Sequence, residues 1–149
     1  MAQSFCKFNV HIIFGTKERR NIITDDIKDD IYNYIIGISK KLDCYVIEIG
    51  GTECHIHILT AVSKNITVPK YIENIKSGSS RLIRDKHPEL DFAWQIGYGA
   101  FSVSQSNIEV VRKYIQNQKE HHKKRSYYDE FVAFLKLNDI EFDEDYILK

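Results

Sequence analysis

Cysteine is scarce in this chain, and what there is forms no pattern. Cys6, Cys44 and Cys54 are odd in number and lack C-x-x-C spacing, which argues against a disulfide framework and a zinc knuckle and leaves buried or reduced thiols. No apolar run reaches the roughly 18 residues that a membrane helix needs. The opening MAQSFCKFNV also lacks the basic-then-apolar plan of a secretion signal. A cytoplasmic protein with no membrane partner is therefore expected. No repeat, low-complexity tract or linker divides the sequence, so residues 1–149 are read as a single domain. Net charge is missing too: 21 basic residues balance 21 acidic ones, and the chain as a whole does not advertise nucleic-acid binding.

What is present is unevenly distributed. An apolar content of 43% with 12% aromatics is enough for a hydrophobic core. Lys64, Lys70, Lys76, Arg81, Arg84 and Lys86 face only Glu73 and Asp85, and Arg112, Lys113, Lys119, Lys123, Lys124 and Arg125 face Glu120 alone. The tail compensates with Asp129, Glu130, Asp139, Glu141, Asp143, Glu144 and Asp145. Either basic run taken singly is explained by a solvated helix face.

Periodicity orders the elements. Phe8, Val10, Ile12 and Phe14 alternate within a strand read from Phe5 to Phe14. Thr24 precedes an amphipathic helix carrying Ile27, Ile31, Tyr34, Ile35, Ile38 and Leu42 on one stripe. Strands at 44–49 and 54–62 flank Gly50-Gly51 as a hairpin. Thr67 caps a second helix, which Gly78 is expected to kink or break. Short strands are read at 92–95 and 100–104. Ser106-Asn107-Ile108-Glu109 has the form of a capping box opening a helix that runs to about Lys124, with a last helix at 127–137. The order β-α-β-β-α-β predicts an α+β, ferredoxin-like split β-α-β antiparallel sheet, with helices on one face and C-terminal helices trailing. The other face is expected to be open to a site or a second subunit.

His55-Ile56-His57 lies on a strand, where side chains two apart leave the same face, so both imidazoles can share one metal ion. They are expected on the side away from the core. An H-x-H alone is more often a surface pair than a ligand pair. Tyr114 and Gln118 are four apart and lie one helical turn from each other. Taken singly, a tyrosine in an amphipathic helix is more often a core residue than a nucleophile. His11 points to the histidine side.

Together these residues reach a known family. Gly50-Gly51, His55-Ile56-His57, the run from Phe92 to Ser104 and Tyr114-Ile115-Gln116-Asn117-Gln118-Lys119-Glu120-His121-His122 resemble the small insertion-sequence transposases of the HUH, single-tyrosine class. The segments from His11 to Arg19 and from Ile140 to Tyr146 extend the resemblance over nearly the whole chain. It implies that His55, His57 and Gln118 bind a divalent metal, Mg2+ or Mn2+. It also implies that Tyr114 cuts single-stranded DNA at hairpin-flanked element ends, forming a 5′-phosphotyrosine. It further implies a homodimer, with the tyrosine helix of one subunit completing its partner's site. Strand transfer on this scheme needs no nucleotide cofactor, consistent with the missing G-x-x-x-x-G-K motif.

His11, Lys17, Arg19, Lys76, Arg81, Arg84, Lys123 and Lys124 are the candidate DNA contacts, with Arg20 and Arg125 beside them. Trp94, Tyr98 and Phe101 are available for stacking, although Trp94 and Phe101 suit a core better. Many relatives carry aspartate before the first histidine. Cys54 stands there in this chain, and strand alternation predicts that it points to the Ile56 side. Two other readings compete: an inactive or domesticated relative that binds DNA or RNA hairpins without cutting, and an unrelated metal protein that merely owns an H-x-H strand.

Overall fold

Both faces of the first strand are covered, and that sets the layout of the whole chain. The computed structural model describes residues 3–147. In it every residue of β1 (Asn9–Gly15) is buried. β1 pairs antiparallel with β3 (His55–Ala61) and with β4 (Gly99–Ser102), and β2 (Tyr45–Gly51) pairs antiparallel with β3. The sheet order is β2-β3-β1-β4. Helix α1 (Asp25–Lys41) connects β1 to β2, and α2 (Val68–Lys86) connects β3 to β4, which is the expected split β-α-β arrangement. β1 starts at Asn9 rather than Phe5 because its partner strand ends at Ala61, opposite Asn9.

The first face packs against α1 and α2. Val10, Ile12, Phe14, Ile56 and Ile58 meet Ile27, Ile31 and Ile35 of α1 and Ile72, Ile75 and Ile83 of α2. Each such burial contributes roughly 1.5–3 kcal/mol. The Thr67 side chain accepts from the Lys70 N–H at 3.2 Å and starts α2 as expected. The expected break at Gly78 does not occur. A Cβ there would lie 1.6 Å from the Tyr34 hydroxyl, so the glycine makes room for α1 against an unbroken α2.

The second face is not open, which corrects the expectation. Helices α3 (Ile108–Gln116), α4 (Gln118–His121) and α5 (Tyr127–Leu137) follow β4. Tyr127, Phe131 and Leu135 cluster there with Ile13 and Phe101, while Ile108 and Ile115 cluster with Leu59. The expected strand at 92–95 is reduced to one bridge between Thr16 and Trp94. Trp94 is instead a core residue, edge-on to Phe14 at 4.8 Å and donating its indole N–H to Ser79 Oγ at 2.9 Å. The capping box is also absent. Residues 105–107 form a 3-10 turn, the Ser106 hydroxyl pairs with that of Ser104 at 3.0 Å, and Glu109 turns to Arg112. The helix expected to reach Lys124 is interrupted at Asn117, between α3 and α4. Gly50 and Gly51 lie within β2, so the hairpin turn is carried by residues 52–54.

Candidate active site

Register gathers the imidazoles. In β3, His55, His57 and Leu59 leave the second face while Ile56 and Ile58 enter the first core, and β1 sets His11 beside them. All three histidines are buried, because α5 lies across the face that was expected to be free. The Ser126 side chain caps α5 by accepting from the Asp129 N–H at 3.1 Å. Its inward stripe is Tyr127, Glu130, Phe131 and Leu135. At eleven residues this helix would be marginal alone and is held by that stripe.

Glu130 has no exposed surface, and the site converges on it. Its Oε1 lies 2.9 Å from His57 Nε2, 3.2 Å from His122 Nε2 and 3.4 Å from His55 Nε2. Its Oε2 accepts from the Tyr114 hydroxyl and, at 3.1 Å, from Gln118 Nε2. Gln118 Oε1 stands 3.0 Å from Nε2 of both His55 and His122. The interruption at Asn117 thus leaves Tyr114 and Gln118 aimed at one carboxylate. The four residues singled out for chemistry, His55, His57, Tyr114 and Gln118, meet within one chain.

Electrostatics follow from this crowding. Burial alone would raise Glu130, but the imidazoles of His122, His55 and His57 hold it far below the usual carboxylate range. Burial pushes His11 down to about 3, helped by His57, and also lowers His57. Burial opposes charge on His55 as well, yet Cys54 and Glu130 outweigh it and lift that ring to about 9. Burial, followed by the Glu130 carboxylate, raises the Tyr114 phenol.

An outer ring of contacts fixes these side chains. His57 Nδ1 meets His11 Nε2 at 2.8 Å, and His55 Nδ1 meets Thr52 Oγ1 at 3.0 Å. Tyr127 stacks on His55 with ring centroids 4.4 Å apart and donates its hydroxyl to Gln95 Oε1 at 2.7 Å. The same Gln95 oxygen accepts from the Gly15 N–H at 2.6 Å. Cys54 departs from expectation: its Sγ lies 3.3 Å from His55 Nδ1, on the histidine side. Cys54 precedes β3, so strand alternation does not govern it.

The donors suit a divalent ion. His55, His122 and Glu130 each offer one ligand atom, all within 4.8 Å of one another. Partners on the far ring nitrogens of His55 and His57 are the usual means of orienting ligating histidines. Glu130 and His122 were missed in the sequence because Glu130 reads as part of an acidic tail. The available signals were a carboxylate three residues after Tyr127 on an otherwise apolar stripe, and a histidine four residues after Gln118.

The basic candidates divide. Tyr114 is half-buried, stacks on His121 at 4.5 Å and borders an open pocket of about 440 Å³ lined also by Glu120, Lys124 and Arg125. Lys123 is exposed and pairs with Glu120 at 2.9 Å. Lys17, Arg19, Arg81 and Arg84 are exposed, with Arg84 also donating to the Phe92 carbonyl at 3.3 Å, and none of them lines that pocket. The Lys76 ammonium donates to the carbonyls of Gln95, Ile96 and Gly97 at 2.6–3.1 Å, and burial lowers its pKa to about 8. Phe101 is buried and stacked with Phe134, whereas Tyr98 is at the surface.

The sequence pattern that defines the IS200-like transposases matches residues 4–118, most of the chain. The chain belongs to that family. The ISDra2 transposase TnpA of Deinococcus radiodurans is 22% identical over 114 residues, covering 72% of this chain and 81% of its own length. The crystal structure of a proposed transposase from the same organism superposes with a TM-score of 0.64 at 20% identity, covering 79% of this chain and 98% of that one. A REP-associated tyrosine transposase bound to a REP hairpin matches with a TM-score of 0.64 at 12% identity, over 82% of this chain and 73% of that one. At these identities the likeness to solved structures is one of fold. As an IS200-like transposase of the single-tyrosine HUH class, the chain carries its paired histidines, Tyr114 and Gln118 inside the family-wide segment, with His122 and Glu130 beyond it.

Proposed function

We propose that this transposase cuts and rejoins single-stranded DNA at hairpin-flanked element ends through a 5′-phosphotyrosine on Tyr114. The observation that carries the reading is the meeting of the Tyr114 hydroxyl and the β3 histidines on one buried carboxylate. His55, His57 and Gln118 would hold a divalent ion, Mg2+ or Mn2+, which when bound withdraws charge from phosphorus and fixes the line of attack. The Tyr114 oxygen bonds to phosphorus as the bond to the 3′ oxygen breaks. The energy of the broken bond is kept in the phosphotyrosine, so rejoining to another 3′-hydroxyl needs no nucleotide cofactor.

Lys124 and Arg125 border the pocket at Tyr114, and with neighbouring Lys123 they are the proposed backbone contacts closest to the chemistry. Lys17, Arg19, Arg81 and Arg84, exposed but away from that pocket, are proposed as further backbone contacts. His11 is buried behind His57 and is assigned to supporting that ring instead. A homodimer is proposed to bring two element ends together, each chain supplying its own site. The proposed compartment is the cytoplasm, and no described helix is long and apolar enough to cross a membrane.

The test is incubation with the hairpin of the gene's own flanks in magnesium. A covalent protein–DNA adduct is expected, lost in Tyr114→Phe. His57→Ala should lose metal-dependent cleavage and keep hairpin binding, since phosphate contacts dominate affinity. Cys54, standing where many relatives carry aspartate, favours a second reading, a hairpin binder that does not cut. Retention of the hairpin by the wild-type chain with no adduct would decide for it.

A further inference from the structure

We propose that Glu130 couples metal loading to release of the nucleophile: the carboxylate that holds the Tyr114 hydroxyl joins the ion's ligand set, with His122, and gives Tyr114 up as it does so. This rests on the reading of Tyr114 as nucleophile and of the β3 histidines as ligands.

The first argument is supply and demand at the carboxylate. Three imidazole Nε2 atoms, the Tyr114 hydroxyl and the Gln118 amide all lie within reach of Glu130. A carboxylate has about four lone-pair sites. Tyr114, Gln118 and His57 are hydrogen-bonded to Glu130. Nε2 of His55 and of His122, each also 3.0 Å from Gln118 Oε1, stands 3.2–3.4 Å away. The carboxylate is therefore close to its full complement, and a cation that took the imidazole lone pairs would relieve it.

The second argument is distance. Ligands about 2.1 Å from one ion stand roughly 3.0 Å apart at the corners of an octahedron and roughly 3.4 Å apart in a tetrahedron. Glu130 Oε1 stands 2.9, 3.2 and 3.4 Å from Nε2 of His57, His122 and His55. The separations from His122 and His55 are those of neighbouring ligands on one ion, and the ligand atoms of His55, His122 and Glu130 all lie within 4.8 Å of one another. Ligation through Nε2 leaves each ring's proton on Nδ1, where His57 has His11 Nε2 at 2.8 Å and His55 has Thr52 Oγ1 at 3.0 Å to accept it.

The third argument is the shared group. Oε2 of the same carboxylate accepts from Tyr114, a charge-assisted bond of the strong kind. A carboxylate whose charge is given to a cation is a poorer acceptor, so the phenol is freed toward the pocket lined by Lys124 and Arg125. Coupling of this sort is reciprocal: if the ion loosens Tyr114, then Tyr114 must oppose the ion.

That reciprocity gives a test without DNA, using Mn2+ binding to the full metal-free chain by calorimetry. Glu130→Gln and His122→Ala should each weaken Mn2+ at least tenfold. Tyr114→Phe, which keeps the ring but frees the carboxylate, should tighten Mn2+ at least threefold. The gain should vanish when Tyr114→Phe is made on top of Glu130→Gln. Nitration of Tyr114 by tetranitromethane in the wild-type chain should quicken on adding Mn2+. Unchanged Mn2+ affinity in Tyr114→Phe overturns the proposal even if Glu130→Gln fails to fold. An adduct with flat Mn2+ affinities would sink the coupling and spare the cleavage reading; coupled affinities with no adduct would do the reverse. A wild-type chain that binds no Mn2+ sinks both.

Discussion

His55 and His57 stand two residues apart on one strand face, yet the fold favours different charge states for them. His57 and His11 are both held below their ordinary value by burial, His11 at about 3. Their unfolded forms take up protons near 6.5, so both favour the native state above that pH and withdraw support as pH falls. Glu130, which burial alone would raise but which His122, His55 and His57 hold low, adds to the loss below its ordinary 4.5. His55, raised to about 9, does not offset this, because its contribution is already complete below 6.5. The metal-free chain is thus expected to lose stability steadily as pH falls from about 6.5 toward about 3, measured by urea denaturation with a chelator present. His11→Asn should flatten the upper part of that slope; an unaltered slope would remove His11 from the explanation.

Elements reach the site through close approach. β2 and α3 touch at Gly50, where a Cβ would lie 2.9 Å from the Ile115 carbonyl oxygen and 3.0 Å from Ile115 Cγ2. Ile115 is the residue directly after Tyr114, so whatever lifts α3 off the sheet moves the phenol. Gly50→Ala is expected to cost about 1–3 kcal/mol in unfolding experiments. It should slow adduct formation by on the order of 10–100-fold, because misplacement of a reacting group by a fraction of an ångström to an ångström is that expensive. Equal slowing of hairpin binding would point to a DNA-contact defect instead.

The same elements separate what local pattern can say from what it cannot. Strand alternation placed His55, His57 and His11 together, and helical spacing aligned Tyr114 with Gln118, since both depend only on neighbours in sequence. Ser106 and Glu109 match a capping box in letters, but the 3-10 turn at 105–107 occupies the place where it would form. Phe92 and Trp94 look like a strand because they are large and apolar, and they are buried for that reason without a full ladder partner. Glu130 was hidden among acidic residues because its burial depends on α5 folding back across Ile13 and Phe101, a long-range event that spacing does not encode.

At the scale of the whole molecule, one chain brings Tyr114 and Gln118 to the histidines of its own β3. The resemblance implies sites shared between subunits, and the arrangement within one chain is the one proposed above. A mixture of His57→Ala and Tyr114→Phe chains is therefore expected to form no adduct, since neither carries a whole site. Recovery of adduct on mixing, read on a denaturing gel, would show that tyrosine helices are exchanged.

The family-wide segment stops at Gln118, but His122 and Glu130, two of the groups crowding the centre, ride on the C-terminal portion of the chain. The proposed centre therefore draws on two parts of the chain, β3 with α3 and α4 on one side and the segment that brings His122 and Glu130 on the other. Exchanging residues 122–137 for the matching segment of a relative is expected to change Mn2+ affinity while His55, His57, Tyr114 and Gln118 stay in place, measured by calorimetry on the chimaera.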